Sequence, residues 1–179
     1  GLHNHKDDYD DQLEELDRFR EGPAADLFEL CALHVGYGDV LNALGQSVAT
    51  SAAAAKDADR LALCALLANV EVAVHVAKMI ADDAIAAADS GGAGVSAGIG
   101  AFFGCLLAAS GSNRKLFMKA PRLGTSVFDC IGAYVGWLAT DGISHLENTL
   151  QLIMEATASK YGVAPAAGAA LVHLCRAAA

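Results

Sequence analysis

Hydrophobic residues recur every three or four positions along most of the chain, which is the spacing of an amphipathic α-helix. No run alternates convincingly between apolar and polar positions as a half-buried β-strand does. The first helix is predicted over residues 6–20, and its apolar stripe consists of Tyr9, Leu13, Leu16 and Phe19. Gly22 and Pro23 interrupt this pattern, and Pro23 suits the first turn of a second helix.

The second apolar segment covers residues 24–50 and also has a helical period. Its apolar positions are Leu27, Leu30, Cys31, His34, Leu41 and Leu44. Gly36 and Gly38 lie in the middle of the segment and weaken a continuous helix. The pattern therefore predicts either one kinked helix or two helices.

The third segment, residues 57–89, contains neither Gly nor Pro. It is apolar almost all round between Leu61 and Val76, and a helix without a polar face is normally buried on several sides. We predict one long buried helix, or two helices in line that begin at Asp57 and Asp82, since aspartate is a good N-cap.

The stretch from Ser90 to Asn113 has no ionisable side chain apart from one thiol. It is long enough to cross a bilayer, which takes about 20 apolar residues. Gly, Ser and Ala supply most of it, however, and each contributes little transfer free energy. Glycines four residues apart let another backbone come close, and such pairs are Gly94/Gly98, Gly100/Gly104 and Gly132/Gly136. We therefore predict the central helix of a soluble bundle.

The remainder of the chain completes an all-α prediction. A short basic connector, residues 114–124, leads to another nearly uncharged helix that ends near Gly142, so the two apolar helices are expected to form a central hairpin. An amphipathic helix follows, with one apolar side made of Ile143, Leu146, Leu150 and Ile153. Residues 163–179 read as a short apolar tail. The expected fold is a single domain, 1–179, of about seven helices, with residues 1–5 disordered or an artificial addition.

Charge and cysteine usage narrow the function classes. The net charge is −9, and residues 1–29 alone hold ten acids and three bases. Without an Arg/Lys stripe the chain lacks the cations that displace counterions from phosphates, so nucleic acid is not an expected partner. The five cysteines lie in apolar runs without a CxxC pair, which predicts reduced core thiols in a cytoplasmic protein: Cys31, Cys64, Cys105, Cys130 and Cys175.

No strong catalytic signature is present, so we predict a protein that is not an enzyme and has no cofactor. Glu71 and His75 lie four residues apart on one helix, where they could share a proton or a metal, but a buried ion pair or a solvated helix edge explains them better. The Ser144–His145 neighbours lack a third orienting group, and the glycines near residue 98 follow no strand and precede no Gly-Lys-Ser/Thr, so they are not a phosphate loop.

Three stretches of the sequence occur in an order that is typical of a known family. The first is HVGYGDVL, whose key positions are His34, Gly38, Asp39 and Leu41. The second is GIGAFFGCLLAASGSNRKLF, residues 98–117, and the third is VFDCIGAYVGWL, residues 127–138. They resemble, in turn, the BH3 segment and the two central helices of the Bcl-2 family of apoptosis regulators.

The resemblance implies a soluble bundle that binds BH3-type amphipathic helices in an apolar groove. The BH1 arginine of the family would align with Gly98, and the BH2 Gly-Trp pair is missing near Glu147. Divergent viral members lose these signatures and keep the fold, so the resemblance is to a viral-type member. The groove would be lined by six apolar residues, although such residues are more often plain core: Leu67, Val70, Val74, Met79, Ile99 and Phe102.

Our leading hypothesis is thus a non-enzymatic apoptosis regulator, cytoplasmic, with at most peripheral contact to intracellular membranes. Its partners would be BH3-type helices or host signalling proteins. The alternative is a structural or self-assembling α-helical subunit, whose apolar helices are covered by copies of the chain or by neighbours. A metal or haem bundle resting on Glu71 and His75 is a third interpretation.

Overall fold

The computed structural model describes residues 14–20 and 22–178 of the chain, and within them it contains helices and no strand. Helix α1 comprises residues 14–20. The helices that follow are α2 (Pro23–Val35), α3 (Tyr37–Ala54), α4 (Arg60–Met79), α5 (Ala81–Asp89), α6 (Ala93–Ser112), α7 (Arg114–Lys119), α8 (Pro121–Ala133), α9 (Val135–Ala139), α10 (Ile143–Thr157) and α11 (Ala164–Ala177). The predicted all-α class is confirmed.

The helices are more numerous than the seven expected because the predicted long segments are broken. The second segment is two helices, separated by Gly36 with φ of 108°, a conformation that L-residues with side chains rarely adopt. The third segment is also two helices, which meet at Ile80. Its N-cap is Asp59, whose carboxylate accepts a hydrogen bond of 2.8 Å from the backbone N–H of Ala62. The predicted caps Asp57 and Asp82 are therefore wrong.

Helices α3 and α6 form the most extensive helix pair in the structure, and glycine makes their close approach feasible. A Cβ added to Gly98 would lie 2.5 Å from both the Cα and the carbonyl oxygen of Gly38. Leu41 on α3 and Ile99 on α6 are fully buried beside this crossing. The predicted role of Gly98 in backbone packing is confirmed, whereas Gly136, on α9, has nothing near its position.

An aromatic cluster links α6 to the second half of the chain. The ring of Phe103 makes edge contact with Tyr134 at 5.5 Å between centroids and a tilted contact with Trp137 at 5.7 Å. Tyr134 also donates a hydrogen bond of 2.8 Å to the carbonyl of Ala77, near the end of α4, where carbonyls lose their helical partners. The cluster thus joins α4, α6 and α9 in one core.

The predicted central hairpin takes a different form. Helix α6 packs mainly on α3, while α8 packs on α4 and α11, so the two apolar helices have different principal neighbours. The short helix α7 lies between them in the chain and separates their paths. The predicted apolar tail is α11, which contributes Ala167, Ala170 and Leu174 to the core.

Two helices of the described chain, α4 and α6, are long and apolar enough to cross a membrane by length and composition, a test that core helices of soluble proteins also pass. Helix α4 was expected to be buried on several sides, and this is wrong for its first half. Leu61 is 83% exposed, and every residue of α4 before Val70 is exposed or only partly buried. The buried residues of α4 begin at Val70, and Leu67 packs against the core while partly exposed.

Candidate functional site

An apolar cavity of about 540 Å³ lies where α1 and α2 cover α4 and the start of α8. Its size falls within the range of pockets that bind small molecules, about 300–1,000 Å³. The cavity is lined by Leu16, Phe19, Arg20, Ala24, Phe28, Leu67, Ala68, Glu71, Val72, His75, Val76, Met79, Ala120, Arg122 and Leu123. Eleven of these fifteen side chains are apolar, so the cavity is suited to a largely apolar occupant.

The polar part of the cavity wall is a connected cluster of charges. The guanidinium of Arg20 donates to Glu71 at 2.7 Å, and the hydroxyl of Ser126 donates to the other oxygen of Glu71 at 2.9 Å. The Nε of Arg122 lies 3.8 Å from Glu71, while its Nη2 donates to Asp17 at 2.6 Å. Glu71 is thus a buried carboxylate with charged and neutral donors around it, which is what a buried charge requires.

The prediction that Glu71 forms a buried ion pair is confirmed, but the predicted partner is wrong. Glu71 forms a buried ion pair, but with Arg20 of α1 rather than with His75 of its own helix. The described residues contain no group of three His, Cys, Asp or Glu side chains that could hold a metal ion. His75 instead lines the apolar cavity.

The outer face of α2 is an apolar stripe exposed to solvent. We call Leu27, Leu30, Cys31 and His34 the α2 stripe, since they follow the i, i+3, i+4, i+7 spacing of one helix face. Leu27 is 58% exposed and Leu30 is 54% exposed. Ala32 is the buried residue of this helix, and Phe28 points into the cavity. The helix therefore presents this apolar face to the outside of the molecule.

The six residues predicted to line a groove are divided between two environments. Leu67 and Met79 line the cavity. The other four lie in the hydrophobic core at 0–1% exposure: Val70, Val74, Ile99 and Phe102. The alternative interpretation as plain core therefore describes these four, because α3 packs against both α4, which carries Val70 and Val74, and α6, which carries Ile99 and Phe102.

The BH3-like segment does not form one helix. Gly36 separates His34, which is exposed at the end of α2, from the rest of the pattern on α3. Leu41 is fully buried, Gly38 touches the backbone of α6, and Asp39 is exposed in the first turn of α3. The exposed apolar residues near this segment lie instead on the preceding helix α2.

The remaining sequence candidates have structural roles. The ring of His145 stacks on Trp137 at 6.0 Å, and no described hydrogen bond joins it to Ser144. The indole N–H of Trp137 donates to the Ser96 hydroxyl at 2.9 Å, and that hydroxyl donates to Asp141 at 3.3 Å. This chain of polar groups anchors the tryptophan, since a buried indole N–H needs an acceptor.

The cysteines were predicted to be core residues, which is wrong for most of them. All five are free thiols; Cys31, Cys64 and Cys175 are exposed and Cys105 is partly exposed. Only Cys130 is buried, and burial raises the pKa of its thiol far above the ordinary value. Cys130 therefore stays protonated and inert at neutral pH.

Fold and site together define an all-α protein with an apolar cavity under its first helices and an amphipathic helix that faces outward. Searches against protein-family models, curated protein sequences and solved structures give no match to this chain. The functional argument therefore rests on the surfaces themselves.

Proposed function

We propose that the protein is a non-enzymatic helical regulator that binds an amphipathic helix of a partner protein on the α2 stripe. The single observation that carries this proposal is the exposure of the stripe. Leu27 and Leu30 are each more than half exposed, on a helix that turns a regular apolar face away from its own core. Exposed apolar patches of this kind mark interaction sites more often than scattered single residues do.

The spacing of the α2 stripe fits a helical partner. Residues at i, i+3, i+4 and i+7 form the ridge by which one helix packs against another or enters a groove. Full burial of a leucine side chain contributes about 1.5–3 kcal/mol relative to leaving it exposed. Leu27 and Leu30 can therefore supply a useful part of the binding free energy.

The charge around the stripe favours a basic partner. Residues 14–35 contain six acidic and two basic residues, and both arginines, Arg18 and Arg20, are already in ion pairs. Asp26 and Glu29 are exposed on α2 beside the stripe. Lysines or arginines that flank the apolar face of a partner helix would complement them and speed association.

The resemblance to the Bcl-2 family suggests a more specific form of the proposal. The partner would be a BH3-type helix or a host signalling protein, and the protein would be a viral-type apoptosis regulator in the cytoplasm. Acidic surroundings favour those BH3-type helices that carry basic residues next to their apolar stripe.

A binding titration tests the proposal directly. A panel of fluorescently labelled BH3 peptides and one basic amphipathic helix without a BH3 pattern are titrated with the full chain. We expect saturable binding that Leu30→Lys reduces more than tenfold, because a charge in the apolar contact costs more than about 1.4 kcal/mol. Met154→Lys is the matched control, since Met154 is 63% exposed on α10, far along the chain from the stripe.

The outcomes separate the levels of the proposal. Binding of the basic peptide alone would overturn the BH3 assignment and keep the stripe. No binding of any peptide, or equal losses in Leu30→Lys and Met154→Lys, would overturn the partner site itself.

Self-assembly is the second candidate, and the exposed apolar face of α4 at Leu61 favours it. Size-exclusion chromatography with light scattering, run at several protein concentrations, distinguishes self-assembly from binding to a separate partner. A monomer at all of them contradicts self-assembly, whereas a stable dimer that Leu61→Lys dissociates supports it.

A further inference from the structure

We infer that the cavity beneath α1 and α2 binds a small apolar molecule with one chain and an uncharged polar end, such as a long-chain alcohol or amide. This site lies beneath α1 and α2, which we call the cap, and is separate from the α2 stripe, because none of the four stripe residues lines the cavity. The proposal therefore goes beyond partner binding.

The walls determine the apolar body of the ligand. Leucine, valine, methionine and phenylalanine side chains surround a space of about 540 Å³. Each methylene group that leaves water for such a space contributes about 0.8 kcal/mol. Phe19 of α1 is 57% exposed and Leu16 is 45% exposed. An occupant of the cavity would also cover part of these two side chains.

The charges of the wall determine the polar end of the ligand. Arg20, Arg122 and Glu71 line the cavity. Asp17 lies outside this lining and pairs with Arg122 at 2.6 Å, so each guanidinium already has a carboxylate partner. A ligand carboxylate or ammonium group would enter this wall without a counter-ion of its own and would lose its hydration. A hydroxyl or amide group can exchange hydrogen bonds with the same cluster and brings no net charge.

The test uses the full chain and a neutral apolar fluorophore such as N-phenyl-naphthylamine. Three competitors have the same twelve-carbon chain length: dodecanol, used below its solubility limit, and dodecanoate and dodecyltrimethylammonium, used below their micelle concentrations. We expect saturable binding of the fluorophore at one site. Dodecanol should displace it at concentrations at least about tenfold lower than either charged competitor, since an unpaired charge costs more than the corresponding 1.4 kcal/mol.

Two filling variants and one matched control locate the site. Ala68→Phe on α4 and Ala24→Phe on α2 fill the cavity from opposite walls and should each weaken fluorophore binding about tenfold or more. Ala65→Phe changes an equally exposed alanine of α4 that does not line the cavity, and it should leave binding unchanged. Circular dichroism confirms that each variant remains folded.

Three results would overturn the inference: no saturable binding to the unmodified chain, unchanged binding in both filling variants, or equal loss in Ala65→Phe. Displacement by a charged competitor as readily as by dodecanol would overturn the assigned ligand class. Leu30→Lys should still bind the fluorophore, so that failure of the partner site and failure of the cavity site give different results.

Discussion

The α3–α6 crossing and the α1–α2 cap are made from similar apolar residues and are held in opposite ways. At the crossing, Gly38 and Gly98 bring two backbones together, and Leu41 and Ile99 are fully buried. The cap touches the remainder of the molecule through few side chains, above a cavity of about 540 Å³. Ion pairs attach the cap to the remainder of the molecule, and the most buried of them joins Arg20 to Glu71.

The difference indicates a division of tasks between the two regions. Close-packed interiors tolerate little change in volume and set the stability of a domain. A region with few buried apolar contacts opens at lower free energy and can exchange its contacts for those of a ligand. The crossing therefore maintains the fold, and the cap is the region suited to binding.

Truncation of a central aromatic residue should show the largest contrast between the two regions. Phe103→Ala removes contacts to Tyr134 and Trp137 and should lower the free energy of unfolding by about 3–5 kcal/mol. Leu30→Ala in the cap should change it by no more than about 0.5 kcal/mol, because Leu30 is mostly exposed. Urea unfolding measures both, and similar losses would contradict the division.

Glycine replacement tests the crossing at the level of the backbone. Gly98→Ala places a methyl group against Gly38 and should destabilise the protein by about 1–3 kcal/mol or more. Gly94→Ala, one turn earlier on the same helix, meets open space and should be neutral or stabilising by up to about 1 kcal/mol. Thermal unfolding of the two variants measures this difference. A Gly98→Ala protein as stable as the unmodified one would show that α3 and α6 lie further apart than described.

The attachment of the cap is tested by Glu71→Gln. This change removes the charge that holds Arg20 and should cost about 1.5–3 kcal/mol, the value of a hydrogen bond to a charged group. Because the loss falls on the cap, hydrogen exchange should accelerate mainly in residues 14–35, with little change at α3 and α6. Uniform acceleration throughout the chain would mean that the cap and the crossing unfold together.

Thiol labelling provides the mildest comparison. Cys31 in the cap and Cys64 on the open face of α4 should react rapidly with a thiol reagent at neutral pH, whereas Cys130 in the core should react only after unfolding. Burial holds the pKa of the Cys130 thiol far above neutral, so its reactive thiolate is scarce. Mass spectrometry of the partly labelled protein identifies the order, and early labelling of Cys130 would contradict the described core.

Sequence periodicity predicts the helical class and the packing role of Gly98 because both depend on local patterns. It leaves open whether the third segment is one helix or two and does not predict the break at Tyr134, which lies between Gly132 and Gly136. It also identifies an apolar face on α2 without saying what covers it, and the structure shows this face exposed. The pair between Arg20 and Glu71 joins positions 51 residues apart, a distance over which only the fold brings charges together.

Gly36 gives the joint between α2 and α3 a particular meaning. The two helices are joined through this single residue, with φ of 108°, and no longer loop lies between them. The direction of the thirteen residues of α2 relative to α3 therefore depends on the torsions of one residue without a side chain, together with the packing of α2 on α4. A change of a few tens of degrees in these torsions would reorient the whole helix, and with it the apolar face that α2 presents to solvent.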